Sequence, residues 1–269
     1  MEKQSFEKKI DDFSKHLKVN IVKKILSFTS IDSTNKKAKD LASAGAEEGT
    51  VVLAQSQKNG RGRFDRIWES PEGGLYLSLL VRPKVLTQDA SLLSLGAALA
   101  VAKTIELYGL RATIKWPNDV RVNGKKIAGI LLESELNGNS LSFVIIGIGI
   151  NLNIDAASFS SEIRAQSTSV VSELGASADY FSFLRDLMIQ LNEVYEWFTQ
   201  HKYSKIVTEW KTYTDTVGQA IKVQTSTESI QGTAVDIDSS GFLIVQTTQG
   251  ERKKIYSGDC LYMSDLHHR

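Results

Sequence analysis

Residues 112–153 read ATIKWPNDVRVNGKKIAGILLESELNGNSLSFVIIGIGINLN, and this stretch decides the fold. Residues 112–116 read as a strand that stops at Pro117. The pair Asn123-Gly124 is a strong type I′ turn signal, and it predicts a hairpin between strands at 119–122 and 126–135. A second turn, at Asn137-Gly138, leads into an apolar strand over 141–153. Strands joined by tight turns lie antiparallel, so regular alternation of parallel strand and helix is ruled out here. The expected class is α+β, a mixed β-sheet with flanking helices.

Working outward, Phe6, Ile10, Phe13 and Leu17 recur at helical spacing over 5–17. A short strand is expected at 24–29. Ser33-Thr34-Asn35 then opens a helix that runs to Ala44 and is stopped by Gly45. Strands are expected at 50–57 and 74–82, and a buried Ala- and Leu-rich helix at 91–108. Downstream, Phe183, Leu187, Leu191, Val194 and Phe198 mark an amphipathic helix over 179–198, followed by a shorter one at 203–212. The character changes after Tyr213. Short alternating strands, with turns near Ser226, Ser239-Ser240-Gly241 and Gln249-Gly250, predict a small β-barrel. The expected division is a catalytic domain over 1–213 and a β-domain over 214–269.

With 269 residues, 42% of them hydrophobic, the chain can build one large core and a small one. A net charge of +1 gives no global attraction to nucleic acid or membrane, so any basic surface is local. The single cysteine, Cys260, excludes an intrachain disulfide and reads as a small apolar filler. Residues 1–17 are charged and lack the apolar core of a signal peptide. The run 143–150 is too short to span a bilayer. The expectation is a soluble, cytoplasmic protein with no membrane partner.

Five units carry the chemistry. In Lys58-Asn59-Gly60-Arg61-Gly62-Arg63-Phe64-Asp65-Arg66-Ile67-Trp68, three arginines are interleaved with two glycines. Such a loop gathers guanidinium groups and bare backbone N–H groups around a small anion. Lys115-Trp116-Pro117-Asn118-Asp119 places a lysine, an amide and a carboxylate at a strand end. Lys115 suits phosphate oxygens, and Asn118 or Asp119 suits Mg²⁺. Lys126 begins an apolar strand in which Gly129 permits close approach to the backbone. Gly147 and Gly149 interrupt the β-branched strand before Asn151, which hints at a ligand lying against it. Ser33-Thr34-Asn35 caps a helix, and the same hydroxyls and amide can face a small polar ring. The four histidines (His16, His201, His267, His268) lie outside all five units. No Ser-His-Asp set, metal-ligand cluster or Walker loop appears.

Taken in order, Ser33-Thr34-Asn35, Gln57, Gly60-Arg61-Gly62-Arg63, Trp68, 115–119, 126–131 and 147–151 resemble the biotin–protein ligases over nearly the whole chain. The resemblance implies an SH3-like C-terminal barrel and ATP with Mg²⁺ as cofactors. It implies biotin as substrate and a biotin carboxyl carrier protein or domain as acceptor. It also implies a two-step reaction through biotinyl-5′-AMP. Ser33, Thr34, Asn35, Gln57, Arg61, Gly62, Arg63, Lys126 and Gly129 would bind biotin, with Lys126, Arg61 and Arg63 catalytic. Arg66, Lys115, Asn118 and Asn151 would bind ATP, and Asp119 would hold Mg²⁺. The family loop commonly has glycine where this chain has Asp65, and an acid there is expected to pair with Arg63 or Arg66. What precedes Ser33 is too short for the winged helix-turn-helix of the family's repressors, so no DNA binding is expected. A monomer or a homodimer both fit. Lipoate or octanoate attachment is the nearest rival, disfavoured by the arginine loop. A binder without activity is the other.

Overall fold

The computed structural model describes residues 5–85, 87–137 and 140–266. Gly138 of the second expected turn, residues 1–4, His267 and His268 lie outside the described residues.

Helix α1 (Phe6–His16) is capped by Ser5 and packs on strand β1 (Lys24–Ile31). Helix α2 (Thr34–Ser43) follows, and strand β2 (Thr50–Gln57) runs parallel to β1. This one βαβ unit makes the sheet mixed. Strands β3 (Leu75–Val81), β4 (Ala112–Lys115), β5 (Asp119–Val122), β6 (Lys125–Asn137) and β7 (Ser140–Ile150) complete it in the order β1-β2-β3-β7-β6-β5-β4. At the β5–β6 turn Asn123 and Gly124 both take positive φ (49° and 77°), as a type I′ turn requires.

Strand β7 explains the layering. Val144, Ile146, Ile148 and Ile150 point to one face and join the main core. Helices α3 (Ser91–Leu107), α6 (Tyr180–Thr199) and α7 (Tyr203–Tyr213) close that core. The alternate residues Phe143 and Ile145 pack with Ala38 and Ala42 of α2 on the opposite face. Beyond them the same face continues as Gly147 and Gly149, so α2 covers only part of it.

Two short helices, α4 (Ser161–Arg164) and α5 (Val170–Leu174), lie in a region where no periodicity foretold them. Five strands follow: β8 (Ala220–Gln224), β9 (Ser229–Ile237), β10 (Leu243–Thr247), β11 (Arg252–Ile255) and β12 (Asp259–Tyr262). They form an antiparallel sheet in the order β11-β10-β9-β8-β12, and helix α8 (Met263–Leu266) follows. No ladder joins β11 to β12 among the described residues, so the closure of a barrel is not part of the pairing seen. Cys260 is buried and its thiol is pushed up to about 12 by burial, which fits an unreactive filler. No helix of the described residues is long and apolar enough to cross a membrane.

The tightest helix contact yields a test. A Cβ built on Gly96 of α3 would lie 2.5 Å from Cγ1 of Val194 in α6. Gly96→Leu should therefore destabilise the fold by about 1–3 kcal/mol through overpacking. Urea unfolding measures this, and an unchanged midpoint would show that the two helices can part freely.

Candidate active site

The uncovered face of the sheet is ordered by register. Across one rung run Ala54, Tyr76, Gly149, Gly129 and Asp119, each paired with the next. Across the next run Ser78, Gly147 and Leu131. A polar wall rises at one end of this floor and a charged one at the other.

The polar wall begins at the start of α2. Ser33 caps the helix, accepting from the Lys36 N–H. Thr34 donates its backbone N–H (2.8 Å) and its hydroxyl (3.0 Å) to Oε1 of Gln57. Nε2 of Gln57 donates to Oγ of Ser70 at 2.9 Å. Ser78 lies within hydrogen-bond distance of Thr34 Oγ1 (2.9 Å) and Asn35 Oδ1 (2.5 Å). Nδ2 of Asn35 donates to Oε2 of Glu133 at 2.9 Å. Ser33, Thr34 and Asn35 are all buried, which suits side chains that form a wall rather than a surface cap.

The glycines have protein neighbours. A Cβ on Gly147 would lie 2.0 Å from Oδ1 of Asn35, and one on Gly149 would lie 2.5 Å from Nε1 of Trp68. A Cβ on Gly129 would lie 3.1 Å from the same indole ring. The expected close approach to these strands is therefore made here by Asn35 and Trp68. Nε1 of Trp68 is buried and unpartnered among the described residues.

The arginine loop is a small hairpin. Arg61 bridges Ile67, Gly62 N–H donates to the Arg66 carbonyl at 2.7 Å, and Trp68 N–H donates to the Gly60 carbonyl at 2.9 Å. Its tip closes by a hydrogen bond from Arg66 N–H to the Arg63 carbonyl (3.2 Å), with Phe64 and Asp65 at φ 56° and 57°. Positive φ at both central residues is the type I′ pattern, in which glycine is cheapest at the second position. Aspartate is among the few side chains that tolerate this region, so Asp65 can stand there; Phe64 does so at greater cost.

The three arginines diverge. Arg61 donates to Oε1 of Glu133 at 3.0 Å. Arg63 donates to Oδ1 of Asn118 (3.2 Å), Oγ of Ser257 (3.2 Å) and the Gly258 carbonyl (3.0 Å), and its guanidinium lies 4.9 Å from the Phe64 ring. Burial pulls the Arg63 guanidinium below its ordinary value, against the charges of Asp119 and Asp259. Arg66 makes a two-pronged ion pair with Asp259. The pairing expected of Asp65 with Arg63 or Arg66 is absent among the described residues, because both arginines reach the C-terminal sheet instead.

Lys126 forms an ion pair with Asp119 at 2.6 Å, and its ammonium lies 5.3 Å from the centre of the Trp68 ring. Its backbone is clipped between the Gln166 carbonyl (2.8 Å) and the Thr168 N–H (2.9 Å). Lys115 lies over the Tyr262 ring at 4.7 Å. Asn118 is buried, with its amide nitrogen on the Ile130 carbonyl and its oxygen on Arg63, so here it positions that arginine. Asn151 is buried too. Its nitrogen donates to the Thr168 carbonyl (2.9 Å), while Oδ1 is buried and unpartnered among the described residues. Asp119 offers Mg²⁺ a single carboxylate, and no group of three acidic, histidine or cysteine ligands exists among the described residues. That suits an ion carried in on phosphate oxygens. Glu133, Asp259 and Ser70 escaped sequence reasoning. Glu133, lying on the glycine-marked face of β6, could have been found by counting in twos from Gly129.

Residues 27–151 match the Biotin/lipoate A/B protein ligase family, and residues 216–262 match the biotin protein ligase C-terminal domain. The bifunctional ligase/repressor BirA of Bacillus subtilis is 38% identical over 231 residues, covering 85% of this chain and 71% of that protein. The biotin--[acetyl-CoA-carboxylase] ligase of Paracoccus denitrificans is 35% identical over 227 residues, covering 82% and 93%. The solved biotin protein ligase from Aquifex aeolicus, in complex with biotin and ATP, superimposes with a TM-score of 0.76 at 28% identity, covering 89% of this chain and 98% of that one.

The charged wall has a pH signature. Burial would raise the Asp259 carboxyl, but the hydrogen bond from Arg66 and the charges of Arg66, Lys115 and Arg63 hold it below its ordinary value. A depressed carboxyl stabilises the fold above its unfolded-state value and loses that contribution as pH falls through the folded-state value. The stability difference between wild type and Asp259→Asn should be constant above about pH 5 and shrink below about pH 4. Chemical denaturation across that range tests this; a difference that grows in acid would contradict the ion pair.

Proposed function

The chain belongs to the biotin protein ligase family, and from that premise we propose that it makes biotinyl-5′-AMP from biotin and MgATP and passes the biotinyl group to a lysine of a biotin carboxyl carrier protein or domain. The observation that carries this reading is the glycine-floored face, with a hydrogen-bonding wall whose one carboxylate is matched by Arg61 at one end and an excess of cations at the other. Biotin has the same polarity, a neutral ureido ring at one end and a carboxylate at the other.

Ser33, Thr34, Asn35 and Gln57 would read the ring. The tail would lie along Gly129 and Gly149 beside Trp68, and the carboxylate would end near Lys126. A carboxylate oxygen then attacks the α-phosphorus, the bond to the β-phosphate breaks, and pyrophosphate leaves. Both reactants are anions, so their approach is the barrier the site must lower. Lys126, Arg61 and Arg63 would offset that repulsion and hold the charge developing on the phosphorus oxygens. Arg66 would exchange Asp259 for the triphosphate, and Lys115 would meet the same anion. The unpartnered oxygen of Asn151 would accept from the adenine amino group. Asp119 would hold Mg²⁺, which shields phosphate charge. In the second step a neutral lysine amine of the acceptor attacks the acyl carbon, the acyl–phosphate bond breaks, and AMP leaves as the nitrogen loses a proton.

We propose that the chain does not bind an operator, because the described residues ahead of α2 are committed to packing as one helix and one strand of the main sheet. A DNA-binding titration at moderate salt checks this.

Mass spectrometry of the acyl-adenylate formed with MgATP and biotin, lipoate or octanoate tests the assignment. Adenylate with biotin alone is expected, and a lipoyl or octanoyl adenylate would move the chain to the rival specificity. Lys126→Ala should lower adenylate formation at least about 100-fold, the scale of a single preorganised electrostatic donor. It should change stability by no more than about 1 kcal/mol, since its partly exposed pair with Asp119 is screened by solvent. Near-normal turnover would remove Lys126 from the mechanism. Arg63→Gly removes the contacts to Asn118 and the C-terminal sheet, so biotinyl-AMP should escape and label bystander lysines. Labelling no greater than with wild type would count against a retaining role.

A further inference from the structure

Glu133 is the one anion in the polar wall, and it lies where a neutral ring is to be read. Its side chain is only 18% exposed. Each carboxylate oxygen serves a different element: Oε2 accepts from Asn35 Nδ2 at 2.9 Å, and Oε1 accepts from Arg61 Nη1 at 3.0 Å. Resting on the ligase reading above, we infer that Glu133 is a positioning residue that couples ring recognition by Asn35 to Arg61 in the arginine loop.

The argument is one of hydrogen-bond polarity. An asparagine amide can sit either way round, presenting oxygen or nitrogen to the same place. A carboxylate only accepts, so Glu133, with the longer contact to the Leu131 carbonyl (3.4 Å), fixes the Asn35 nitrogen toward itself. The Asn35 oxygen is thereby turned to Ser78 and over Gly147, where no Cβ obstructs it. The donor and acceptor pattern of the wall is thus set by a residue that need not touch the ring. Glu133 acts on the loop as well. Arg61 makes one side-chain hydrogen bond among the described residues, the one to Glu133, and is 47% exposed. Its other N–H groups remain available to an anion. One carboxylate therefore ties the group that reads one end of the substrate to a cation poised for the other.

The isosteric change Glu133→Gln isolates this role. A glutamine has one acceptor and one donor in place of two acceptors. Its NH₂ faces Asn35 Nδ2 or Arg61, donor against donor, so either one link is lost or Asn35 turns over and inverts the wall's donor and acceptor pattern, with the volume unchanged. Glu133→Asp keeps both acceptors but is one methylene too short to reach both partners.

The experiment is biotin-dependent ATP–pyrophosphate exchange with wild type, Glu133→Gln, Glu133→Asp, Arg61→Met and the Arg61→Met/Glu133→Gln double variant, alongside calorimetric titration of each with biotin. Glu133→Gln should raise the KM and Kd for biotin roughly ten-fold or more, the weight of a hydrogen bond to a charged group, with the KM for ATP unchanged. Glu133→Asp should not rescue it. The double variant should be weakened by clearly less than the product of the two single effects, because both act through one link. A merely structural Glu133 would lower the thermal midpoint and leave biotin affinity intact, and that result overturns the inference. Independent, multiplicative effects of the two single variants would overturn it as well. The titration separates the two readings: wild type that binds biotin without exchange would sink the ligase assignment, while the affinities still decide the Glu133 link.

Discussion

Gly129 and Gly149 stand side by side on adjacent strands of a seven-stranded sheet, and the absence of two Cβ atoms there governs what lies above. On the opposite face the intervening residues, Ile130, Ile148 and Ile150, are core. The strands are therefore fixed by burial on one side and bare of their own side chains on the other, where Asn35 and Trp68 come down onto the backbone. A fully buried isoleucine contributes about 1.5–3 kcal/mol, and glycine in a strand costs about 0.5–1 kcal/mol in backbone entropy. The core can bear that cost, and a β-branched strand with gaps on one face alone is the result. Trp68 spans the gap, and Lys126 is drawn over its ring by the indole's negative face.

The second constraint is charge. Arg63, Arg66, Lys115 and Lys126 gather around Asp119 and Asp259, while Arg61 is set apart at the polar wall. The gathered cations would repel one another without counter-ions. Glu133 takes Arg61, Asp259 takes Arg66 and Asp119 takes Lys126. Arg63 is held mostly by neutral acceptors, among them the Gly258 carbonyl and the Asn118 amide. Being half-buried without a carboxylate in direct contact, it would gain the most from an arriving phosphate.

Much of the fold was legible because its signals are local. Asn123-Gly124 specifies its turn whatever lies around it, and Ser33 caps α2 through a contact three residues away. That three arginines share one tight loop was legible too, since they fall within residues 61–66 between glycines. Contacts remote in sequence were not. Arg66 and Asp259 are separated by 193 positions, and Arg63 and Gly258 by 195, so nothing in the loop announces that it docks on the second sheet. The glycines at 129, 147 and 149 were correctly read as room for something, but a sequence does not say whether protein or ligand fills it. The short helices between β7 and α6 went unseen because four or five residues are too few to show a period.

The hairpin tip is where these constraints meet. Phe64 and Asp65 in the left-handed region cost about 1–2 kcal/mol for an ordinary side chain, less for aspartate. Against this stand three hydrogen bonds from Arg63 and the ion pair of Arg66. The Arg66 side chain is 62% exposed, so solvent screening reduces its pair with Asp259 to about 0–1 kcal/mol. Each Arg63 bond has a charged donor, a class worth about 1.5–3 kcal/mol where it is sheltered from solvent. Arg63 is therefore the main anchor of the docked loop, with the strain concentrated at the tip and the anchors on the second sheet. On the proposed function, a triphosphate would offer Arg66 more charge than Asp259 does, and that exchange would leave Arg63 and Arg61 as the loop's remaining anchors. The wall proposed to read the ring would then be undisturbed, because Arg61 would stay on Glu133 while Arg66 turned to the phosphate.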